Sequence, residues 1–311
     1  MDTSPNDSTF AHTFEGAGSC LNCRQVLPRL VESAPIYFEK GSVKCTNCGK
    51  DVELWEAALD HAIRLSKVAT WALESLGAAQ TSVIIQMEAG NYYEIRLTDY
   101  GVPANAKILS RRYAPQGDEQ SMVTALEWHP HDPVHRVRGT DLRLYAIPLF
   151  EGPMPRKGPV LIRVTWIRTG GSDAWPYFVT AFEAATAGEY APAMVFAQSA
   201  VEISMMPVIE KRFRRHASAE HVKQFMSNAL TYGYSLNVVL PYLCAEVGTP
   251  QMPEAIRGAL NKLRKKRNAI IHQGTEASVV TPAEAMESLC AAAFGFEFVR
   301  HVSPLLLKEG K

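Results

Sequence analysis

Lys262-Leu263-Arg264-Lys265-Lys266-Arg267-Asn268-Ala269-Ile270-Ile271-His272 decides how the C-terminal half of the chain folds. Set at about 100° per residue with Arg267 at the origin, Ile256, Leu260, Leu263, Ile270 and Ile271 fall within roughly 60° of that arginine. The stretch is therefore a helix with one apolar face. Arg267 stands in the middle of that face, where an unpaired charge is costly. His272 lies about 140° round, beyond Asn268 and Arg264, on the shoulder between buried and exposed. Guanidinium and imidazole are thus held about 7–8 Å apart along one axis. A fixed cation and a group that exchanges protons near neutral pH suit phosphodiester chemistry at that spacing.

The residues upstream read as further helices. After Gly170-Gly-Ser-Asp-Ala-Trp-Pro, with Ser172 or Asp173 as cap, a helix from Trp175 to about Ala187 is predicted, then a turn at Gly188. The next helix, Ala191 to about Phe213, is apolar almost all round and is expected at the centre of a bundle. Glu202 is its only charge between Ala191 and Val208. A lone carboxylate there needs a cation and Arg267 needs an anion, so the two are expected to meet, fixing the guanidinium's direction. Helices over Ala219–Tyr232 and Tyr234–Val247 precede the quoted one. The last helix is predicted over Ala283–Val302, capped by Thr281 with Pro282 at its first position and Glu284 at its third.

Arg267-Asn268-Ala-Ile-Ile-His272 resembles the Arg-Asn-x-x-x-His motif of HEPN domains, helical modules that include metal-independent ribonucleases. The segment Phe182 to Glu202 resembles their opening helical pair, so the resemblance covers roughly 173–307, somewhat under half the chain. It implies an all-α bundle and a homodimer whose two motifs share one cleft. It also implies RNA cleavage by the RNA's own 2′-hydroxyl, leaving 2′,3′-cyclic phosphate and 5′-hydroxyl ends, with no catalytic metal. His272 would be general base or acid, Arg267 would stabilise the phosphorane, and Asn268 would orient the imidazole or hold a phosphate oxygen. Lys262, Arg264, Lys265 and Lys266, with Arg212, Arg214 and Arg215, are candidates for an RNA-binding funnel. Gly274 stands where HEPN toxins controlled by nucleotidyl transfer carry a tyrosine, so that control is not implied. A stress or antiviral role would follow from family analogy alone. Two other readings stay open: a silent HEPN module for dimerisation or nucleic-acid binding, and a protein-interaction adaptor.

The 311 residues are 47% hydrophobic, with 32 basic and 32 acidic side chains. That is enough for two or three cores, and any contact with a polyanion must be local. No uninterrupted apolar run approaches the roughly 20 residues that span a bilayer, and the polar N-terminus is unlike a signal peptide, so the chain reads as soluble and cytoplasmic. A disordered tail is expected over 1–13.

Cys20-Leu-Asn-Cys23 and Cys45-Thr-Asn-Cys48, 21 residues apart, form two C-x2-C knuckles. That pattern predicts one structural zinc held by four thiolates, in a zinc ribbon over 14–50. Disulfides are the alternative, disfavoured where nothing signals secretion. Pro35 to Lys44 reads as strand, turn and strand. Asp51–Leu76 reads as one amphipathic helix, giving a linking segment over 51–77. Over 78–170 the period changes to that of about six strands, a small antiparallel sandwich or barrel, and 171–311 is the helical domain. Arg111, Arg112, Arg136 and Arg138 make the loops of the sheet basic. His129, His131, Asp132 and His135 form a loop that could hold a metal, although it has no framework to pre-form the ligands.

Overall fold

The computed structural model describes residues 16–65, 78–116, 123–127, 140–150, 156–168, 173–273 and 279–308. The expected tail, the histidine-rich loop and the stretches holding Arg136, Arg138 and Gly274 lie outside them. The chain divides into a β-rich unit over 77–171 and an α-rich unit that joins 15–76 to 172–311. The cysteine module and the helix after it therefore belong to the same unit as the C-terminal helices.

The module departs from a ribbon. Helix α1, Leu30–Lys40, occupies the stretch read as a strand, and among the described residues the strands near it are the two-residue pair β1, Val43–Lys44, and β2, Asp51–Val52. Pro35 and the Tyr37-Phe38 pair suggested extended chain. Burial decides otherwise, since Leu30, Ala34, Tyr37 and Phe38 recur at helical spacing and all are buried. Gly41, at φ 75°, ends the helix in the left-handed region. Helix α2 covers Leu54–Leu65, beginning after β2 rather than at Asp51.

In the β unit, β3 (Ala79–Glu88), β8 (Lys157–Arg168) and β5 (Ala106–Pro115) form one antiparallel sheet with β8 in the middle. In the second sheet β7 (Asp141–Pro148) lies between β4 (Tyr92–Arg96) and β6 (Val123–Glu127). Alternate residues such as Leu142, Leu144 and Ala146 of β7 and Val160, Ile162 and Val164 of β8 enter one apolar cluster shared by both sheets. Six strands were expected here, and six are described. Arg111 and Arg112 are not loop residues: both lie within β5, and Arg111 pairs with Glu127 at 3.0 Å.

The helical unit contains α3 (Trp175–Thr186), α4 (Tyr190–Phe213), α5 (Ala219–Asn228), α6 (Tyr232–Tyr234), α7 (Leu240–Val247), α8 (Glu254–Gln273) and α9 (Pro282–Leu306). A π-helical turn, Ser235–Val239, runs from α6 into α7. Ala174 sits at the N-cap of α3 with no side-chain cap, so Asp173 does not serve there. The Thr281 cap forms fully, with Thr281 and Glu284 each satisfying the other's backbone N–H.

The central place falls to α9 rather than α4. Both are long and apolar enough to cross a membrane by length and mean hydropathy, which a search for unbroken apolar runs does not reveal. In this fold 72% of the α9 window is buried within the protein, against 44% for α4. Phe294 of α9 meets Tyr37 and Trp55 edge-on, with ring centroids 6.1 and 5.4 Å away, and Phe298 meets Phe38 at 5.1 Å. His301 Nε2 and Glu39 Oε1 stand 3.1 Å apart beside them.

Phe294 is fully buried between the module and the bundle. Phe294→Ala is expected to destabilise the α-rich unit by about 3–5 kcal/mol, read from urea unfolding. A second consequence concerns Glu297, which is 1% exposed and accepts a hydrogen bond from Arg300 Nη2 at 2.6 Å. Burial pushes its carboxyl from the ordinary 4.5 up to about 7, and Arg300 offsets only part of that. Between those values the native state holds a proton that the unfolded chain releases, so this group lowers stability as pH rises from about 4.5 to about 7. Glu297→Gln is expected to flatten that fall, measured as the change in urea midpoint between about pH 5 and about pH 8.

Candidate functional site

Four thiols converge at the N-terminus. The sulfurs of Cys20, Cys23, Cys45 and Cys48 all lie within 4.8 Å of one another, with Cys20–Cys48 at 3.8 Å and Cys23–Cys45 at 3.6 Å. A tetrahedron with metal–sulfur bonds of about 2.3 Å has edges of about 3.8 Å, so the four sulfurs are close enough together to hold one metal ion. The two knuckles close alike. Arg24 N–H donates to Cys20 O at 2.8 Å and Gly49 N–H to Cys45 O at 2.9 Å. The bridge Ser19↔Val26 flanks the first, and β1–β2 flanks the second.

Gly49 sits at φ 70°, as its place after the second pair required. Its counterpart Arg24 adopts φ 63° without a glycine's freedom. The side chain of Asn47 and the backbone at Gln25 lower the Cys23 thiol to about 6. The backbone at Lys50 lowers Cys48, and Asn22 Nδ2 donates to its sulfur at 3.6 Å. These donors favour thiolates, the form a metal binds. Sequence reading passed over Asn22, Asn47 and Arg24; their signal is the knuckle repeat itself.

The second constellation lies at the C-terminal end of α8. Ile256, Leu260, Leu263 and Ile270 are buried as the periodicity required, but Ile271 is half exposed. His272 is exposed, and Arg267 and Asn268 are half-buried. Arg267 Nη1 donates to Asn268 Oδ1 at 3.2 Å, turning the amide toward the arginine. Among the described residues no hydrogen bond joins Asn268 to His272.

The expected ion pair is not made: no contact within 4.0 Å links Glu202 to Arg267 among the described residues. Glu202 lies close enough for Arg267 to favour its charged form, but burial outweighs that and raises the carboxyl. The counting of charges was sound; the guanidinium instead faces its own helix neighbour. Arg267 Nε is buried without a partner among the described residues.

The seven basic residues do not form one funnel. Lys262 pairs with Glu287 at 3.1 Å, and Lys266 with Glu284 at 3.1 Å and the carbonyl of Val279 at 3.0 Å. Both contacts lie near the start of α9. Arg212 and Arg215 donate to the carbonyls of Leu306, Leu307 and Lys308 at its far end, where they satisfy orphan acceptors. Arg212 also meets Glu246 at 3.1 Å, and Arg214 pairs with Glu210. The two groups are separated by most of a 25-residue helix, roughly 30 Å. Arg264 and Lys265 have no ion pair among the described residues.

A residue that sequence reading placed at the end of α5 belongs here. Tyr232 instead opens α6, capped by Thr231, and is 6% exposed with no partner for its hydroxyl. Its signal was the cap followed by Tyr-Gly-Tyr. No protein-family model, curated protein or solved structure matches this chain.

Because Tyr37, Phe38 and Trp55 are held by the cysteine module and packed on α9, loss of a bound ion is expected to weaken the whole α-rich unit. Metal analysis of purified protein should find about one ion per chain. Cys45→Ser should remove it and lower the thermal midpoint of helix loss by circular dichroism.

Proposed function

We propose that this protein is a HEPN-type, metal-independent endoribonuclease that works as a homodimer on RNA, with a zinc ion in the four-cysteine cluster as a structural element. Thiolate ligands, tetrahedral spacing and the absence of an open coordination position suit zinc and give it no part in the chemistry.

The observation that carries this reading is that no carboxylate among the described residues pairs with Arg267. It keeps donors spare on the same helix end as an exposed His272. In the proposed reaction the RNA 2′-oxygen forms a bond to the adjacent phosphorus and the bond from phosphorus to the 5′-oxygen breaks. The proton of the 2′-hydroxyl passes to a base, and an acid supplies a proton to the leaving oxygen. Arg267 neutralises charge on the non-bridging oxygens as the phosphorane forms. One imidazole cannot begin the step both free and protonated, so a cleft shared by two chains, each giving one His272, supplies base and acid together. The half-exposed Ile271 next to it offers apolar surface for that pairing.

One observation favours a silent dimerisation or RNA-binding module instead: five of the seven expected RNA-binding cations are already engaged within the chain. Incubation of wild type and His272→Ala with RNA in excess EDTA separates the two readings. Cleavage leaving 2′,3′-cyclic phosphate ends, reduced at least about a hundredfold in the variant, is the expected result. A folded dimer that leaves RNA intact would sink the ribonuclease reading.

A further inference from the structure

Arg264 and Arg267 stand three residues apart on α8 and share a face. The Nε of each is buried and has no hydrogen-bond acceptor, and neither meets a carboxylate within ion-pair distance among the described residues. The Arg264 guanidinium is laid against Gly233: a Cβ there would stand 3.1 Å from its Cζ and Nη1. A side chain at that position would push the guanidinium aside. Asn237, on the π-helical turn, fixes this approach. Its amide donates to Gly233 O at 2.7 Å, and it exchanges hydrogen bonds of 3.0 and 2.8 Å with Asn261, one turn before Arg264.

Tyr232 precedes that glycine, its hydroxyl buried and unpartnered, in the field of both Arg264 and Glu202. Glu202, which also acts on Arg267, is pushed toward its neutral form by burial. Where α4, α6 and α8 meet, two planar cations and an orphan hydroxyl therefore stand together with no settled counter-ion among the described residues. Buried charge without an anion is unfavourable unless something else supplies one.

We propose that Arg264 and Arg267 form a two-guanidinium clamp for a phosphate group of the RNA backbone, with the Tyr232 hydroxyl as a third donor. Guanidinium forks match the oxygens of a tetrahedral phosphate, whereas a lysine in either place would offer a point charge. Arg264 is a binding residue in this scheme and Tyr232 positions the phosphate. The proposal rests on the ribonuclease reading for its substrate, but binding can be tested without cleavage.

The probe is a fluorescent 2′-O-methyl oligoribonucleotide, which has no free 2′-hydroxyl and cannot be cut. Its affinity for the full chain is read by anisotropy over a salt series. Arg264→Met is expected to weaken binding about tenfold or more and to reduce the salt slope by about one. Arg264→Lys should recover the slope but only part of the affinity, and Tyr232→Phe should cost about threefold. Without RNA, Arg264→Met should unfold no earlier than wild type, because it removes an unpaired charge; a structural arginine would behave oppositely. Unchanged affinity in Arg264→Met would overturn the clamp even if the enzyme cleaves. Oligonucleotide binding lost in Arg264→Met, in a wild type that never cleaves natural RNA, would keep the clamp and discard the nuclease. If Arg264→Met instead turns a dimer into monomers while affinity holds, the anion is a partner chain's carboxylate and the proposal fails.

Discussion

The edge-on packing of Phe294 against Tyr37 and Trp55 makes one body of two pieces of chain more than two hundred residues apart in sequence. Neither piece is complete alone. Residues 16–65 carry two short helices and two-residue strands, too little to enclose a core of their own. Helix α9 in turn presents aromatic side chains that its helical neighbours do not cover. Bringing them together removes both apolar surfaces from water, at roughly 25 cal/mol per Å². A metal ion in the four-cysteine cluster would then do more than close its own loops, because the cluster joins the segments that carry α1 and α2 against α9.

That arrangement explains what could be read from the residues and what could not. Local chemistry was legible. The knuckle spacing gave the thiol cluster, Thr281-Pro-Ala-Glu284 gave the start of α9, and alternation gave the strands. The apolar stripe through Leu260, Leu263 and Ile270 gave the buried face of α8. Helix α1 was not legible, because Pro35 and two aromatic residues favour extended chain locally while the docking surface that overrules them lies at Phe294 and Phe298. The central role of α9 was hidden for a similar reason, since composition does not say which apolar helix its neighbours will surround.

Side-chain pairing was harder still. Glu202 and Arg267 were each correctly marked as lacking a partner, yet proximity did not become contact. A guanidinium chooses among acceptors within a few ångströms, and Asn268, on its own helix, was nearer. The basic residues misled in another way. Arg212 and Lys262 look alike in a sequence, but Lys262 lies on α8 beside the start of α9, whereas Arg212 ends α4, whose C-terminus lies at the far end of α9. A charge count cannot carry that information.

The contrast between those arginines bears on how the orphaned ones should be understood. At the far end of α9, Arg212 and Arg215 are spent on carbonyls that the helix leaves unsatisfied, an ordinary structural use. The chain is therefore able to find acceptors for arginine where stability alone is at issue. Arg267 lies near Glu202 and Arg264 against Gly233 of α6, yet among the described residues their Nε atoms remain unsatisfied, and burial discourages Glu202 from ionising. Folding would be better served by apolar residues of similar volume at both places. Positions where local rules are broken without a structural return are where a protein is expected to place its function. Here the broken rule has a definite sign: among the described residues the two cations have no paired anion, and on the proposed reading the ligand brings it.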